Sequence, residues 1–98
     1  MAAKILTSRQ FTKGIKTLES FTANLKKTKL SATFQFDTHV DALVFIARIT
    51  VHAEVEQHHP DITFTYKKVK VSLTTHEVKG LTQKDLRLAK KIEKLSSL

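Results

Sequence analysis

The feature that most limits what this chain can become is the segment from His39 to Gln57, followed by Pro60. Thr38-x-x-Asp41 has the spacing of a capping box, and proline disfavours helical geometry at the preceding His59. A helix is therefore bounded at both ends. Within it Val40, Leu43, Val44, Ala47, Val51 and Val55 form one apolar stripe. Phe45, Ile46, Ile49 and Ala53 widen that stripe and leave Asp41, Arg48, His52 and Glu56 as the polar line. A helix this apolar buries a second side, in the same core or against another subunit. An oligomer is expected.

Shorter signals flank this helix. Thr7-x-x-Gln10 is a capping box that starts a helix at Ser8, with Phe11, Ile15 and Leu18 on its buried face. Residues 21–25 read as a short strand and Lys26 to Lys29 as a polar turn. Leu30, Ala32, Phe34 and Phe36 alternate with Ser31, Thr33 and Gln35, the period of a half-buried strand. After Pro60, Ile62, Phe64 and Tyr66 alternate with threonines, and Val69, Val71 and Leu73 alternate with Lys70, Ser72 and Thr74. These two runs make a hairpin joined at Lys67-Lys68; lysine suits a two-residue turn poorly, which favours a longer loop. His76 follows at the strand end, then a loop through Gly80. Thr82-x-x-Asp85 caps a last helix with Leu88, Ala89, Ile92 and Leu95 on its buried stripe. The order α-β-β-α-β-β-α, with hairpin-linked strands and helices on one sheet face, defines an α+β class.

Length and composition bound the rest. Ninety-eight residues, 41% hydrophobic and 27% charged, make one folded domain spanning 1–98. Without cysteine, disulfides and thiolate metal sites are excluded. The apolar run from Ala42 to Val55 is broken by Arg48, His52 and Glu54 and cannot span a bilayer. Met1 to Leu6 lacks the apolar core of a secretory leader, so the expected location is cytoplasmic, with the nucleus open. The net charge of +8 is concentrated outside the middle, where residues 30–66 carry Arg48 alone against five acids. A basic protein invites a nucleic-acid reading, but the lysines are spread over two helices and a hairpin, with no RNA-binding aromatic signature. A solvated lysine-rich surface accounts for them better.

His58, His59 and His76 demand a chemical reason, and three readings compete. The first is a metal centre, as three imidazoles with an open position make a hydrolytic zinc site; yet adjacent histidines project in different directions. The second is structural, since histidines near a helix end satisfy terminal carbonyls and favour the macrodipole. The third is metal-free acid–base catalysis, with one imidazole donating and another accepting a proton. Glu54 lies one helical turn before His58 and can meet its ring or a ligand. Asp85 completes a capping box, yet shares the buried face of Ala89 and Ile92, so it can cap the helix and also reach the site.

The pattern Glu54-x-x-x-His58-His59-Pro60, five residues to Tyr66, nine to His76 and eight to Asp85, resembles the signature of the pterin-4a-carbinolamine dehydratases. Phe34-Gln35-Phe36-Asp37, Thr74-Thr75-His76 and Gly80-Leu81-Thr82 agree with it, over about residues 30–95. The resemblance implies a four-stranded antiparallel sheet with three helices on one face, in a homodimer or homotetramer. It implies a lyase that dehydrates 4a-hydroxytetrahydrobiopterin to quinonoid dihydrobiopterin in tetrahydrobiopterin recycling, with no metal or bound cofactor. By the same resemblance His58, His59 and His76 are catalytic, while Glu54, Pro60, Thr74, Thr75, Glu77 and Asp85 hold or orient the pterin. Two departures stand out: there is no tryptophan, with Phe21 nearest the usual position, and Gln57 replaces an acid common before the histidine pair. The alternative is a protein-binding role, as a dimerisation or assembly cofactor, on the same fold.

Overall fold

The computed structural model describes residues 4–98, so Met1 to Ala3, part of the segment read for a leader, lie outside the described residues. The elements are α1 (Ser8–Ile15), β1 (Thr22–Ala23), β2 (Leu30–Gln35), α2 (His39–Glu56), β3 (Asp61–Thr65), β4 (Lys68–Leu73) and α3 (Gln83–Ser96). A single 3-10 turn, His76–Val78, lies between β4 and α3. The expected α+β order is the observed one. All strand pairs are antiparallel, in the spatial order β1-β2-β4-β3.

Alternation decides which sheet face the helices cover. Leu30, Ala32 and Phe34 of β2 and Val69, Val71 and Leu73 of β4 are buried, while Thr33, Gln35, Lys68 and Lys70 between them are exposed. Because the strands pair in register, Ala32 beside Val71 and Phe34 beside Val69, the apolar set is continuous across the sheet. Phe45 of α2 packs its ring on Phe34 and Phe36, and Leu88, Ala89 and Ile92 of α3 complete the core.

Local chemistry shifts several boundaries from those the pattern predicts. The first strand shrinks from residues 21–25 to Thr22–Ala23. Asn24 Oδ1 accepts the backbone N–H groups of Thr28 and Lys29, folding the chain into a turn in which Lys27 takes φ 57° and Leu25 is exposed. Phe21 precedes the strand and is buried edge-on to Phe34, a core residue. Helix α1 ends at Ile15, before Leu18, where the Thr17 hydroxyl and N–H both bond to the Gly14 carbonyl. The second hairpin has a two-residue loop after all. Thr65 pairs with Lys68, so Tyr66 and Lys67 form the turn, with Tyr66 at φ 49°. His39, first in α2, holds that conformation. Its Nδ1–H donates to the Tyr66 carbonyl at 2.8 Å, and its ring stacks on Phe64 and Tyr66. At the other end of the sheet, the Glu93 carboxylate of α3 accepts the backbone N–H groups of Glu19, Ser20 and Phe21, which fixes the entry to β1.

The largest correction concerns α2. Its buried side is Ala42, Phe45, Ile49 and Ala53, part of the set that widens the stripe in the sequence pattern. The stripe itself faces solvent: Val40 is 65% exposed, Val51 62% and Val55 78%, with Leu43 and Val44 beside them. Both faces repeat at the helical period, so periodicity alone does not say which one meets the sheet. Alanines at 42 and 53 admit close packing at the two ends of the buried face, with Phe45 and Ile49 filling the space between them.

Helix α2 stops at Gln57, which takes left-handed geometry at φ 52°, ψ 43°. The His58 N–H then bonds to the Ala53 carbonyl and the Gln57 N–H to that of Glu54, the paired bonds of a Schellman cap. Glycine is the usual residue there, and a side chain costs about 1 kcal/mol or more in that region. Gln57→Gly is accordingly expected to stabilise the fold by about 1 kcal/mol, a rise of roughly 4–8 °C in melting temperature for a domain of this size. A melting curve that does not rise would show that the Gln57 side chain offsets its own strain.

Candidate active site

The Schellman cap determines where the histidines point. Had α2 continued, His58 would lie one turn above Glu54. The left-handed residue turns His58 inward instead, and its side chain is only 10% exposed. Its Nε2 meets Asp85 Oδ1 at 2.6 Å. The expected contact between Glu54 and His58 is therefore absent. Glu54 pairs with His59, Oε1 to Nε2 at 3.1 Å, and both side chains are more than half exposed. The two adjacent histidines diverge, one toward the core and one toward solvent.

Asp85 occupies the third helical position of α3 and is completely buried. Its Oδ2 accepts the Thr82 N–H at 2.9 Å, the capping-box bond that the spacing predicts, and also the Thr75 hydroxyl at 2.7 Å. Its Oδ1 is left for His58. A carboxylate only accepts, so the shared proton resides on His58 Nε2, and Nδ1 is the ring nitrogen available to a ligand. The one carboxylate thus joins the end of α2, the start of α3 and the segment after β4.

That last segment carries His76. Thr75 and Gly80 exchange backbone hydrogen bonds at 2.9 and 3.3 Å, closing the 3-10 turn His76–Val78 between them. Lys79 at φ 53° completes the closure. The Thr74 hydroxyl donates to the Thr28 carbonyl at 2.7 Å, tying the turn to the β1–β2 loop. His76 and Glu77 are exposed on this pinned turn, and Thr75 next to them reaches Asp85. Pro60, half-buried, leads from His59 into β3.

The arrangement has two layers. His58 and His76 are joined through Asp85 and Thr75, while His59 and Glu54 form a solvent-facing pair. Thr75 commits its buried hydroxyl to Asp85 and Thr82, whereas Thr74 spends its proton on the Thr28 carbonyl and keeps acceptor lone pairs. Thr82 escaped the sequence reading as a site residue. It carried the capping signal, but nothing in the spacing tells that its hydroxyl meets Thr75, at 2.9 Å. Among the described residues no three of His, Asp and Glu converge as a metal-holding group.

The fold and this paired-histidine site define a class, and comparison with known proteins agrees. The family pattern described as Pterin 4 alpha carbinolamine dehydratase matches residues 4–95. The chain belongs to that family. A relative from Trichormus variabilis, named for the pterin-4-alpha-carbinolamine dehydratases, is 43% identical over 72 residues, covering 74% of this chain and 77% of that one. Another so named, from Nostoc punctiforme, is 36% identical over 92 residues, covering 94% and 97%. A crystal structure described as a transcriptional coactivator/pterin dehydratase from Brucella melitensis superposes with a TM-score of 0.89 at 26% identity, covering 95% of this chain and 99% of that one. A pterin dehydratase-like RuBisCO assembly factor of the alpha-carboxysome shares the fold, with a TM-score of 0.69 at 18% identity over 82% and 93%.

Because Asp85 is buried and accepts three hydrogen bonds, its removal strands three donors. Asp85→Ala is expected to cost about 3 kcal/mol or more in urea denaturation, the scale for breaking a buried charged hydrogen-bond set. A loss below about 1 kcal/mol would mean that water replaces the carboxylate and that the network does not hold the three segments together.

Proposed function

We propose that this protein is a hydro-lyase that dehydrates 4a-hydroxytetrahydrobiopterin to quinonoid dihydrobiopterin, in tetrahydrobiopterin recycling. The observation that carries the reading is His58, held by buried Asp85 beside the turn that presents His76. The reaction breaks the C4a–O bond, and the N5–H electron pair forms the new double bond between C4a and N5. A proton goes to the leaving oxygen, which departs as water, and the N5 proton is taken up by a base. This needs one protonated and one neutral imidazole at opposed positions on the substrate. His58, His59 and His76 supply them. His58 works through Nδ1, while His59, paired with Glu54, acts from the solvent side. Pro60, Glu77 and the backbone of Thr74 and Thr75 line the approach of the pterin.

Nothing in that sequence of bonds calls on a metal or a resident cofactor, because both proton transfers fall to imidazoles. Freshly generated carbinolamine, followed by absorbance, tests the reading. Wild type is expected to accelerate dehydration with or without chelator, and His58→Ala and His76→Ala are each expected to lose about 100-fold, as for removal of a general acid or base. No acceleration by wild type would overturn the enzyme reading, and activity lost to chelator would restore a metal to the mechanism.

The protein acts in the cytoplasm as a homodimer or homotetramer, in this reading. Support comes from the solvent-facing stripe of α2, where Val40, Leu43, Val44, Val51 and Val55 form an unbroken apolar row. Such a row on a monomer marks an interaction surface. The same row supports a second reading, in which the protein serves as a dimerisation or assembly cofactor for another protein. Val51→Glu, in the middle of the row, is expected to reduce the mass measured by light scattering to that of a single chain without altering the circular dichroism. An unchanged mass would place the assembly contact elsewhere.

A further inference from the structure

The site contains a chain of hydroxyl groups behind Asp85 that the acid–base chemistry does not itself use. Thr75 and Thr82 are both buried, at 4% and 3% exposure, and their hydroxyl oxygens lie 2.9 Å apart. Thr82 Oγ1 accepts the Lys84 N–H at 3.3 Å, and Thr75 Oγ1 lies 2.7 Å from Asp85 Oδ2. Each hydroxyl has one proton to give. Asp85 Oδ2 also accepts the Thr82 N–H, so the carboxylate is the terminal acceptor and takes the Thr75 proton. The Thr82 proton then goes to Thr75 Oγ1, and the Lys84 N–H fills the remaining side of Thr82 Oγ1. Every donor in the row points one way, from the first turn of α3 toward Asp85. No buried side-chain polar atom among the described residues is left without a partner.

We infer that Thr75 and Thr82 are positioning residues for His58: their aligned hydroxyls hold Asp85 Oδ2 so that Oδ1 keeps the proton on His58 Nε2 and leaves Nδ1 toward the substrate. The assignment rests on the dehydratase reading for its catalytic consequence, but the control of the His58 ring does not. Three features support it. The Thr75 hydroxyl is spent on Asp85 and does not face a ligand. Two donors on Oδ2 fix the carboxylate plane, and rotation of that plane would move Oδ1 off the 2.6 Å contact with the ring. Finally, hydrogen bonds in a row polarise one another, so loss of the outer hydroxyl weakens the inner bond as well.

The decisive variants are Thr75→Val, which keeps the shape and removes the hydroxyl, and Thr75→Ser, which restores it. Two measurements on the full chain separate positioning from simple support of the fold. The first is the nitrogen-15 spectrum of the His58 ring at neutral pH. Wild type and Thr75→Ser are expected to show the Nε2–H form, and Thr75→Val a mixture of Nε2–H and Nδ1–H, while the His59 signals stay unchanged. The second is steady-state dehydration, where Thr75→Val is expected to lower kcat about ten- to a hundredfold with KM nearly unchanged, as for a lost hydrogen bond to a charged group. Should Thr75→Val not fold, Thr82→Val removes only the outer hydroxyl and carries the same spectral test with a smaller change. An unaltered His58 spectrum in a folded Thr75→Val or Thr82→Val protein would overturn the inference. So would a Thr75→Val effect confined to KM, which would make Thr75 a pterin contact. If wild type dehydrates no carbinolamine, the function reading fails while the spectrum still decides the role of Thr75 and Thr82.

Discussion

The Asp85 carboxylate is the constraint on which the site depends. It is the meeting point of three segments that the sheet alone would not align. The end of α2 reaches it through His58, the segment after β4 through Thr75, and the start of α3 through the backbone of Thr82. A buried carboxylate is costly unless every lone pair with a role finds a donor, and this one has three within 2.9 Å. Desolvation therefore works in favour of specificity. Any arrangement that separates one segment from the others leaves a buried acceptor or donor unpaired.

The secondary-structure pattern and its caps are legible in the chain, because they are local. Thr7, Thr38 and Thr82 start their helices where their spacing to Gln10, Asp41 and Asp85 predicts. The inward placement of Asp85 follows from its sharing a face with Ala89 and Ile92. Less legible are the features set by one residue in an unusual conformation. Gln57 carries no glycine-like signal, yet its left-handed geometry swings His58 away from Glu54 and gives that acid to His59. Tyr66 takes positive φ in the same way, because His39 holds its carbonyl and ring, a contact between residues 27 apart. A pattern confined to neighbours does not contain such contacts.

Helix α2 illustrates a different limit. Its two faces are nearly equal in apolarity, so the pattern does not say which of them turns inward. The structure resolves the question: the face with Ala42 and Ala53 takes the sheet. The other face carries the exposed valine row, the surface that another chain would cover in the proposed assembly. The histidine site lies at one end of the helix and the apolar row along its outer face, so the two proposed roles have room to coexist on one small domain.

The Glu93 clamp gives α3 a second long-range duty. From its first turn this helix supplies the carboxylate that holds the histidine site, and two turns later it supplies another that grips the backbone of Glu19, Ser20 and Phe21, more than 70 residues earlier. Both grips come from a helix that is synthesised after all four strands. The sheet can form its hairpin beforehand, but the edge at β1 and the seat of His58 stay unsettled until α3 docks. Synthesis order thus makes the histidine site assemble after the sheet, and a nascent chain carries the histidines before it can hold them in place.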